Sequence, residues 1–500
     1  MVNSHDLVEI INARIVDVEN GCYYPPDVSL VIQDGKIAAM PGLEGEPPSV
    51  QSDATLDLQG KTLIPGLFNT HCHLQFLPKG EVGSRQLAKN LSDCLDRGVT
   101  NVRDTLCYDL QENRNWVEKI QRGEILGPRI HQSIHVSPLG GTYAPKLNPI
   151  KRFSFSMIGL RPIDYRLKNS GVVVFQPGAS IIEVRDAVDR AVDERGADAI
   201  KFCDQPEHFM TYKPGAQVMP IWQLEAAVDQ AAKRGMPTTM HNVTVSGFRW
   251  GVQAGVNSLA HLPFDTQLEE ADVDLLLKSN TYIEPTLSVG YFMSYSLKSS
   301  PVSGHPEIQR LDRFREKTYQ QIVEECWLPE LQASRLGLNT SLSKGEMKVF
   351  GIIDLTVPFS YYAKMIPTGG ENLRLLEKHG AGSRLGCGND AGAANTSAAA
   401  VWLELAMFDF ILNSNGEQFC NPVDLLRAAT IQSARSMDVD AKFGSIQPGK
   451  VADLVVLDGD PLQDIHLVGR PALAVFMDGK LMVNRCELTL KSPQTVQVGV

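Results

Sequence analysis

Short apolar runs alternate with amphipathic stretches along most of the chain, and this pattern predicts repeated β-strand and α-helix units. Such units build a parallel sheet with helices packed against it. Eight runs are strand candidates, at 62–68, 99–103, 129–136, 198–203, 237–240, 256–260, 282–287 and 384–388. Eight units that close on themselves form a (β/α)₈ TIM-type barrel, whose chemistry lies at the carboxyl ends of the strands.

The two ends of the chain share another pattern, a β-hairpin around an Asp-Gly-Lys turn. Residues 34–36 form the first turn and residues 478–480 the second, each between strand-like runs. We therefore expect both termini to fold into one small β-sandwich. The predicted organisation is sandwich at 1–65, catalytic barrel at 66–436 and sandwich again at 437–500. A helical insertion near 291–348 could be a lid, a substrate-selecting wall, an oligomer contact or a solvated arm.

Side chains able to bind a metal ion lie at the ends of five predicted strands. Two of them, His71 and His73, follow the first strand, and side chains two positions apart on an extended strand point to the same side. The others are Lys201 near the end of the fourth strand, His241 after the fifth, His261 after the sixth and Asp390 after the eighth. The barrel topology therefore predicts six candidate ligands on one rim.

Each candidate also has a purely structural interpretation. The first two histidines could merely share a strand face, and Lys201 could be a strand-end lysine that reaches solvent. His241 and His261 could be satisfied core histidines, while Asp390 could cap a following helix, because Asp is a favoured N-cap residue. An interior lysine without a partner is rare, which favours the ligand interpretation of Lys201.

Composition and charge exclude several classes of partner. The chain has 47 Lys+Arg against 58 Asp+Glu, which gives a net charge of -11. It has no basic stretch that would bind along the phosphates of a nucleic acid. We expect no nucleic-acid partner. The sequence contains neither an apolar run of about 20 residues nor a leader in which a basic segment precedes an apolar one. We therefore expect no membrane association and a cytoplasmic location. Nine cysteines without C-x-x-C pairing indicate reduced thiols.

Five segments together resemble the amidohydrolase superfamily. They are the run 64–74 that contains His71-Cys72-His73, and the segments 196–201, 258–261, 388–392 and 444–455. Within the superfamily the chain is most similar to the imidazolonepropionase-like branch, which includes metal-dependent Xaa-Pro dipeptidases and ochratoxin-hydrolysing enzymes. The resemblance covers nearly the whole chain and implies the barrel and sandwich fold.

The resemblance also implies a binuclear metal centre. In similar enzymes carbon dioxide carboxylates the lysine equivalent to Lys201, and the carbamate bridges two divalent ions, zinc first and manganese or cobalt as alternatives. The ligands of the two ions would be His71, His73 and Asp390 for one, and His241 and His261 for the other.

The function implied is hydrolysis of an amide-type C–N bond in a small molecule, such as a dipeptide, an N-acyl amino acid or an aryl amide. A metal-bound hydroxide would attack the carbonyl carbon, and Asp390 would carry the proton to the leaving nitrogen. Similar enzymes are commonly homo-oligomers, so we expect one here.

Two alternatives remain open: a deaminase or an ester or lactone hydrolase of the same superfamily, and a non-catalytic relative. A mononuclear deaminase would not need Lys201, and similar deaminases carry a glutamate where this chain has Thr244. A non-catalytic relative would be expected to have lost ligands, but all six are present.

Substrate contacts are less clearly marked. Relatives often have a histidine in the glycine-rich loop after the third strand, where this chain reads Pro-Leu-Gly-Gly-Thr-Tyr at 138–143. His135 in that strand and Tyr143 in that loop are candidates to contact substrate, with a packing role as the alternative for both. Arg161 or Arg166 could pair with a substrate carboxylate.

Overall fold

The computed structural model describes residues 7–46, 49, 51–75, 77, 80–145, 164–208, 212–298, 300–345, 348–349, 353–354, 356–392, 396–413 and 418–491. The strands are β1 (Val8–Ile11), β2 (Arg14–Asp17), β3 (Cys22–Tyr23), β4 (Leu30–Gln33), β5 (Lys36–Ala39), β6 (Ala54–Asp57), β7 (Thr62–Pro65), β8 (Leu67–Cys72), β9 (Val99–Asp104), β10 (Arg129–Pro138), β11 (Val172–Phe175), β12 (Ala199–Asp204), β13 (Thr238–Asn242), β14 (Ser258–Ala260), β15 (Tyr282–Glu284), β16 (Lys348–Val349), β17 (Ile353–Asp354), β18 (Leu454–Leu457), β19 (Ala474–Met477) and β20 (Lys480–Asn484).

The α-helices are Glu81–Asp96, Leu110–Gln121, Ile181–Asp193, Ile221–Lys233, Val245–Ala254, Glu270–Leu277, Leu287–Met293, Pro306–Cys326, Pro329–Ser343, Thr356–Tyr362, Pro367–Lys378, Val401–Leu412, Pro422–Arg427 and Ser433–Ser436. Among the described residues, none of the helices combines the length and apolar character needed to cross a lipid bilayer.

A parallel barrel forms the centre of the fold, with strands in the order β8, β9, β10, β12, β13, β14 and β15. The eighth position is taken by an extended segment that makes isolated bridges instead of a regular strand. Leu385 bridges Ile283 of β15, and Ala391 bridges Cys72 of β8. The backbone N–H of Thr70 also donates to the carbonyl of Cys387 at 2.9 Å. The predicted barrel fold is therefore confirmed, with its last strand irregular.

The first predicted strand, 62–68, is in fact two strands that belong to different sheets. β7 pairs with β18 and β2 outside the barrel, while β8 lies within it. The chain changes sheet at Gly66, whose N–H donates to the Asp453 carbonyl at 2.8 Å. A Cβ at this position would lie only 2.2 Å from the hydroxyl oxygen of Thr100, so the crossing requires glycine.

Two sheets outside the barrel unite the ends of the chain. One contains β5, β4, β1 and β6, and the other contains β20, β19, β18, β7, β2 and β3. A buried core links them, to which the first sheet contributes Ile10 and Leu30 and the second contributes Leu454 and Phe476. Both predicted hairpins form, and left-handed residues at Asp34–Gly35 and Asp478–Gly479 make their turns.

One buried ion pair crosses the interior of the barrel. The guanidinium of Arg103 on β9 donates to both carboxylate oxygens of Glu284 on β15, at 2.6 and 2.7 Å. It also donates to the hydroxyls of Ser258 at 3.0 Å and Thr239 at 3.3 Å, and to the Thr70 carbonyl at 2.7 Å. One side chain thereby connects strands β8, β9, β13, β14 and β15.

The insertion predicted near 291–348 contains the helices Pro306–Cys326 and Pro329–Ser343. They pack against the first barrel helix, Glu81–Asp96, of the same chain. The side chain of Gln86 donates to the Cys326 carbonyl at 2.8 Å and accepts from the Leu328 N–H at 2.8 Å. Arg97 pairs with Glu325 at 3.1 Å.

Candidate metal centre

All six predicted ligands lie buried at the carboxyl rim of the barrel. Neither His71 nor Lys201 has any exposed surface. The positions are His71 in β8, His73 just after it, Lys201 in β12, His241 in β13, His261 just after β14, and Asp390 in the segment that closes the barrel. The structure therefore brings together every residue that the strand-end pattern singled out.

The side chains of His71, His73 and His261 lie around the carboxylate of Asp390. Its Oδ1 lies 2.7 Å from His73 Nε2 and 3.5 Å from His71 Nε2. His71 Nε2 is also 3.3 Å from the amine of Lys201. Ligand atoms of His71, His261 and Asp390 all lie within 4.8 Å of one another. A single ion could contact all three of them.

The other two imidazoles face each other, with His261 Nε2 at 2.9 Å from His241 Nδ1. Two nitrogens bound to one tetrahedral zinc ion at about 2.05 Å would be about 3.3 Å apart. A movement of a few tenths of an ångström would accommodate an ion between them. The hydroxyl of Tyr143 lies 3.4 Å from the same Nδ1 of His241.

Threonine hydroxyls contact Nδ1 of two of the candidate ligands, and one of them fixes a tautomer. Thr105 lies 3.4 Å from Nδ1 of His73, and Thr286 contacts Nδ1 of His261. Each threonine hydroxyl donates its own hydrogen to a backbone carbonyl, at 3.1 and 2.7 Å respectively. The Thr286 hydroxyl must therefore accept a hydrogen from Nδ1 of His261, which leaves the lone pair of His261 on Nε2, facing the centre.

A glutamine has the same effect on the third imidazole. The carbonyl oxygen of the Gln205 side chain is 2.9 Å from His241 Nε2. An amide oxygen can only accept a hydrogen bond, so Nε2 carries the proton and Nδ1 keeps the lone pair. His241 and His261 thus present an unprotonated nitrogen to the same small volume, as metal ligation requires, while Nε2 of His73 faces the Asp390 carboxylate at 2.7 Å.

Burial keeps the imidazoles of His71, His241 and His261 neutral. It lowers the pKa of His261 to about 4, although the nearby Asp390 carboxylate opposes the effect. Burial, with the positive charge of Lys201, also holds the pKa of His71 well below its ordinary value. For His241, burial and His261 depress the pKa in the same way. At neutral pH these nitrogens are free to bind a cation.

The pKa values of the amine and the carboxylate at the centre are shifted in directions that suit a metal site. Burial lowers the pKa of Lys201 from 10.5 to about 8, so a sizeable fraction of the amine is neutral near pH 7–8. Carbon dioxide reacts only with the neutral amine. Burial alone would raise the pKa of Asp390, but His73, His261 and Lys201 together outweigh it and hold the pKa below its usual value. Asp390 is therefore ionised.

The backbone is strained at this centre. His261, Thr286 and Asp390 have φ values of 69°, 52° and 49°, in the left-handed region that non-glycine residues rarely enter. Such conformations cost about 1–3 kcal/mol each and persist where the surrounding structure holds them in place. Their concentration around the candidate ligands is typical of a functional site.

The structural interpretations of two ligands do not match the structure. Lys201 cannot be a lysine that reaches solvent, because it is fully buried. Asp390 does not cap a helix, because among the described residues the next helix begins at Val401, and the carboxylate contacts His73.

The predicted substrate-contacting residues lie beside the candidate ligands. His135 is fully buried, is paired with Lys201 in the strand register, and has no hydrogen-bond partner on either ring nitrogen among the described residues. The ring of Tyr143 stands edge-on to it, 5.5 Å away. Arg166 is exposed and pairs with Asp164 at 3.0 Å, while Arg161 lies outside the described residues.

Residues that support the ligands were missed in the sequence, namely Thr105, Gln205 and Thr286. Each lies within two residues of the carboxyl end of a barrel strand, after β9, β12 and β15. That placement is the signal that could have identified them.

The comparisons agree with this architecture. The model of the family described as "Amidohydrolase family" matches residues 62–482. An imidazolonepropionase from Sphingopyxis alaskensis is 26% identical over 140 residues, which is 28% of this chain and 32% of the relative. The match therefore spans about a third of that curated relative.

Two solved structures share the fold over nearly the whole chain. A Xaa-Pro dipeptidase with methionine bound in its active site has a TM-score of 0.64 at 21% identity, covering 95% of this chain and 99% of the other. The ochratoxinase of A. niger has a TM-score of 0.64 at 19% identity, covering 96% of each chain. At these identities the likeness shows a common fold.

Proposed function

Because the chain belongs to the amidohydrolase family, we propose that it hydrolyses an amide-type C–N bond of a small molecule at a binuclear metal centre. The observation that carries the proposal is the buried rim cluster, in which imidazole nitrogens without protons, a carboxylate and a lysine converge. The solved neighbours include an enzyme named for action on such a bond, a Xaa-Pro dipeptidase.

The donor set fits two divalent ions. The residues that would hold them are His71, His73 and Asp390 for one ion, and His241 and His261 for the other, with the carbamate of Lys201 between them. The 3.3 Å contact between His71 and the Lys201 amine puts Lys201 beside the first group of ligands. The 2.9 Å contact between His241 and His261 holds the second group together. Ligand atoms of His71, His261 and Asp390 lie within 4.8 Å of one another, so the two groups adjoin. Zinc suits imidazole and carboxylate ligands best, and manganese or cobalt would also be accepted.

Bound divalent ions would polarise the scissile carbonyl and lower the pKa of water. Asp390 supplies the proton transfer: its ionised carboxylate can accept a proton from the attacking water and deliver it to the leaving nitrogen. An amine leaves readily only when protonated. Tyr143 and His135, beside the centre and with hydrogen-bonding capacity, are the groups we assign to the substrate.

A deaminase is disfavoured by the local role of Thr244. Its hydroxyl accepts the Gly247 N–H at 2.9 Å and donates to the Asp204 carboxylate at 2.6 Å, so it caps the helix Val245–Ala254. Thr244 stands where similar deaminases carry a glutamate, and here it serves as a helix cap.

Product analysis tests the proposal. Protein loaded with zinc, manganese or cobalt is incubated with Xaa-Pro and other dipeptides, N-acyl amino acids, aryl amides, esters, lactones and aminopurines, and products are identified by mass spectrometry. We expect an amine and its paired carboxylate from at least one amide class, and at least a 100-fold lower rate in the isosteric Asp390→Asn variant. If ammonia loss were the only reaction, the protein would be a deaminase instead. If only esters or lactones were cleaved, it would be an esterase. No reaction with any compound would favour a non-catalytic relative.

A further inference from the structure

We propose that one side of the scissile bond carries a flat, uncharged aromatic group, which packs against a wall formed by Tyr212, Phe264, Tyr361 and Tyr362. We call these four residues the aromatic wall. This inference rests on the proposed hydrolase function and specifies the class of substrate that the same centre accepts.

The wall is built from three segments that leave the catalytic rim of the barrel. Tyr212 lies in the segment after β12, the strand that carries Lys201. Phe264 follows His261 by three residues. Tyr361 and Tyr362 end the helix Thr356–Tyr362, which follows β15 and the insertion. The four rings therefore meet on the side of the barrel where the candidate ligands lie.

The four rings form one contiguous surface. The ring centroids of Tyr212 and Tyr361 are 4.8 Å apart, and those of Tyr361 and Tyr362 are 5.1 Å apart. Phe264 lies 5.5 Å from both Tyr361 and Tyr362. Several pairs meet edge to face, the arrangement that aromatic rings prefer. A flat apolar group added to this cluster would make the same kind of contact.

The wall is electrostatically close to the centre. Burial raises the pKa of Tyr212 and Tyr362 above the ordinary value, and the charge of Asp390 adds to the effect at both hydroxyls. Tyr143, whose hydroxyl lies 3.4 Å from Nδ1 of His241, also raises the pKa of Tyr362. Contacts give the same proximity, because Tyr361 donates to Glu207, which lies two residues after Gln205, the partner of His241. The rings thus lie on the side of the centre where a group attached to the scissile bond would extend.

The charges around the wall select an uncharged group. Apart from burial, the largest effect on the Tyr361 hydroxyl comes from Glu207, whose carboxylate accepts its hydrogen bond at 2.8 Å. A substrate carboxylate placed here would be repelled by the Glu207 carboxylate, whereas an aromatic ring would not.

Two further features indicate a binding surface rather than an ordinary core. Tyr212 and Tyr361 are only partly buried, so each keeps some surface that a bound group could contact. Tyr212 also has a φ of 49°, like the strained residues of the centre itself. Large aromatic residues seldom adopt this conformation unless the surrounding structure requires it.

The test uses matched substrates and matched variants. Two series of amides are compared, one with benzoyl or acetyl on the same amine, the other with aniline or propylamine on the same acyl group. Tyr361→Leu removes the ring, while Tyr361→Phe keeps the ring and loses only the hydrogen bond to Glu207. We expect Tyr361→Leu to lower the aryl-to-alkyl ratio of kcat/KM about 2- to 12-fold in one series, equivalent to roughly 0.5–1.5 kcal/mol for an aromatic pair. Tyr361→Phe should leave the ratio unchanged.

A second readout separates this inference from the proposed function. Binding of benzamide to metal-loaded protein is measured by calorimetry, and we expect Tyr361→Leu to weaken it by the same factor. An unchanged ratio together with unchanged benzamide affinity would overturn the aromatic wall, even if amides are hydrolysed. Benzamide binding that depends on Tyr361, without hydrolysis of any amide, would instead overturn the proposed function and leave the wall standing.

Discussion

The ion pair between Arg103 and Glu284 gives the sharpest prediction for the stability of the barrel. Both side chains are almost fully buried, and the guanidinium contacts both carboxylate oxygens at 2.6 and 2.7 Å. Glu284→Gln keeps the shape of the side chain and removes its charge. The guanidinium cannot lose its proton, so it remains as an uncompensated charge in the barrel interior.

The expected cost follows from the burial. Removing one partner of a buried pair typically costs about 3–5 kcal/mol. Unfolding entropy is roughly 2.1 cal/mol/K per residue, and for a chain of this length the cost corresponds to a Tm lowered by about 3–5 °C. Arg103→Met should behave differently, because the stranded Glu284 can take up a proton. Its cost should therefore be smaller at pH 5 than at pH 8.

Urea denaturation of chelator-treated protein measures these effects without a contribution from bound metal. The surface pair Arg185–Asp229, at 2.6 Å, is the control, and Asp229→Asn should cost less than about 1 kcal/mol. The double variant Arg103→Met/Glu284→Gln should be more stable than the sum of the single effects predicts, by about 2 kcal/mol or more. A cost below about 1 kcal/mol for Glu284→Gln, or additive single effects, would refute the reasoning.

Two more predictions concern one candidate ligand and one partly buried carboxyl group. Thr286→Val removes the acceptor that fixes the tautomer of His261, so metal affinity measured by chelator competition should fall about 10- to 100-fold; an unchanged affinity would contradict the assigned tautomer. Burial, and secondarily Asp424, raises the pKa of Glu377 from 4.5 to about 7, so its favourable contribution to stability is present below pH 4.5 and is lost as the pH rises through 7. Glu377→Gln should therefore stabilise the protein by roughly 1–3 kcal/mol at pH 8.5 and leave it unchanged at pH 4, as measured by urea denaturation; an equal effect at both pH values would contradict the assigned pKa.

The strand-end pattern predicted the barrel and the position of all six candidate ligands. The prediction succeeded because each barrel strand is marked in the sequence by a local apolar run. In addition, the carboxyl ends of parallel barrel strands all lie at one rim. His71 and Asp390, far apart in sequence, are adjacent for that reason alone.

Features that depend on contacts between distant segments could not be read from the sequence. The apolar run 62–68 has no local mark of the change of sheet at Gly66, which arises from contact with Thr100. The role of Thr286 depends on His261 from another strand. Tyr361 and Tyr362 follow an insertion that shows no strand-helix periodicity, so their place at the rim was visible only in the folded chain.

The number of metal ions bound per chain tests the central claim most directly. Elemental analysis is made on protein loaded with zinc in the presence of bicarbonate, for the wild type and for Lys201→Ala. A centre bridged by the carbamate of Lys201 predicts two ions per wild-type chain and at most one in the variant. One ion or none in the wild type, or two ions in both proteins, would contradict the binuclear centre proposed for this rim.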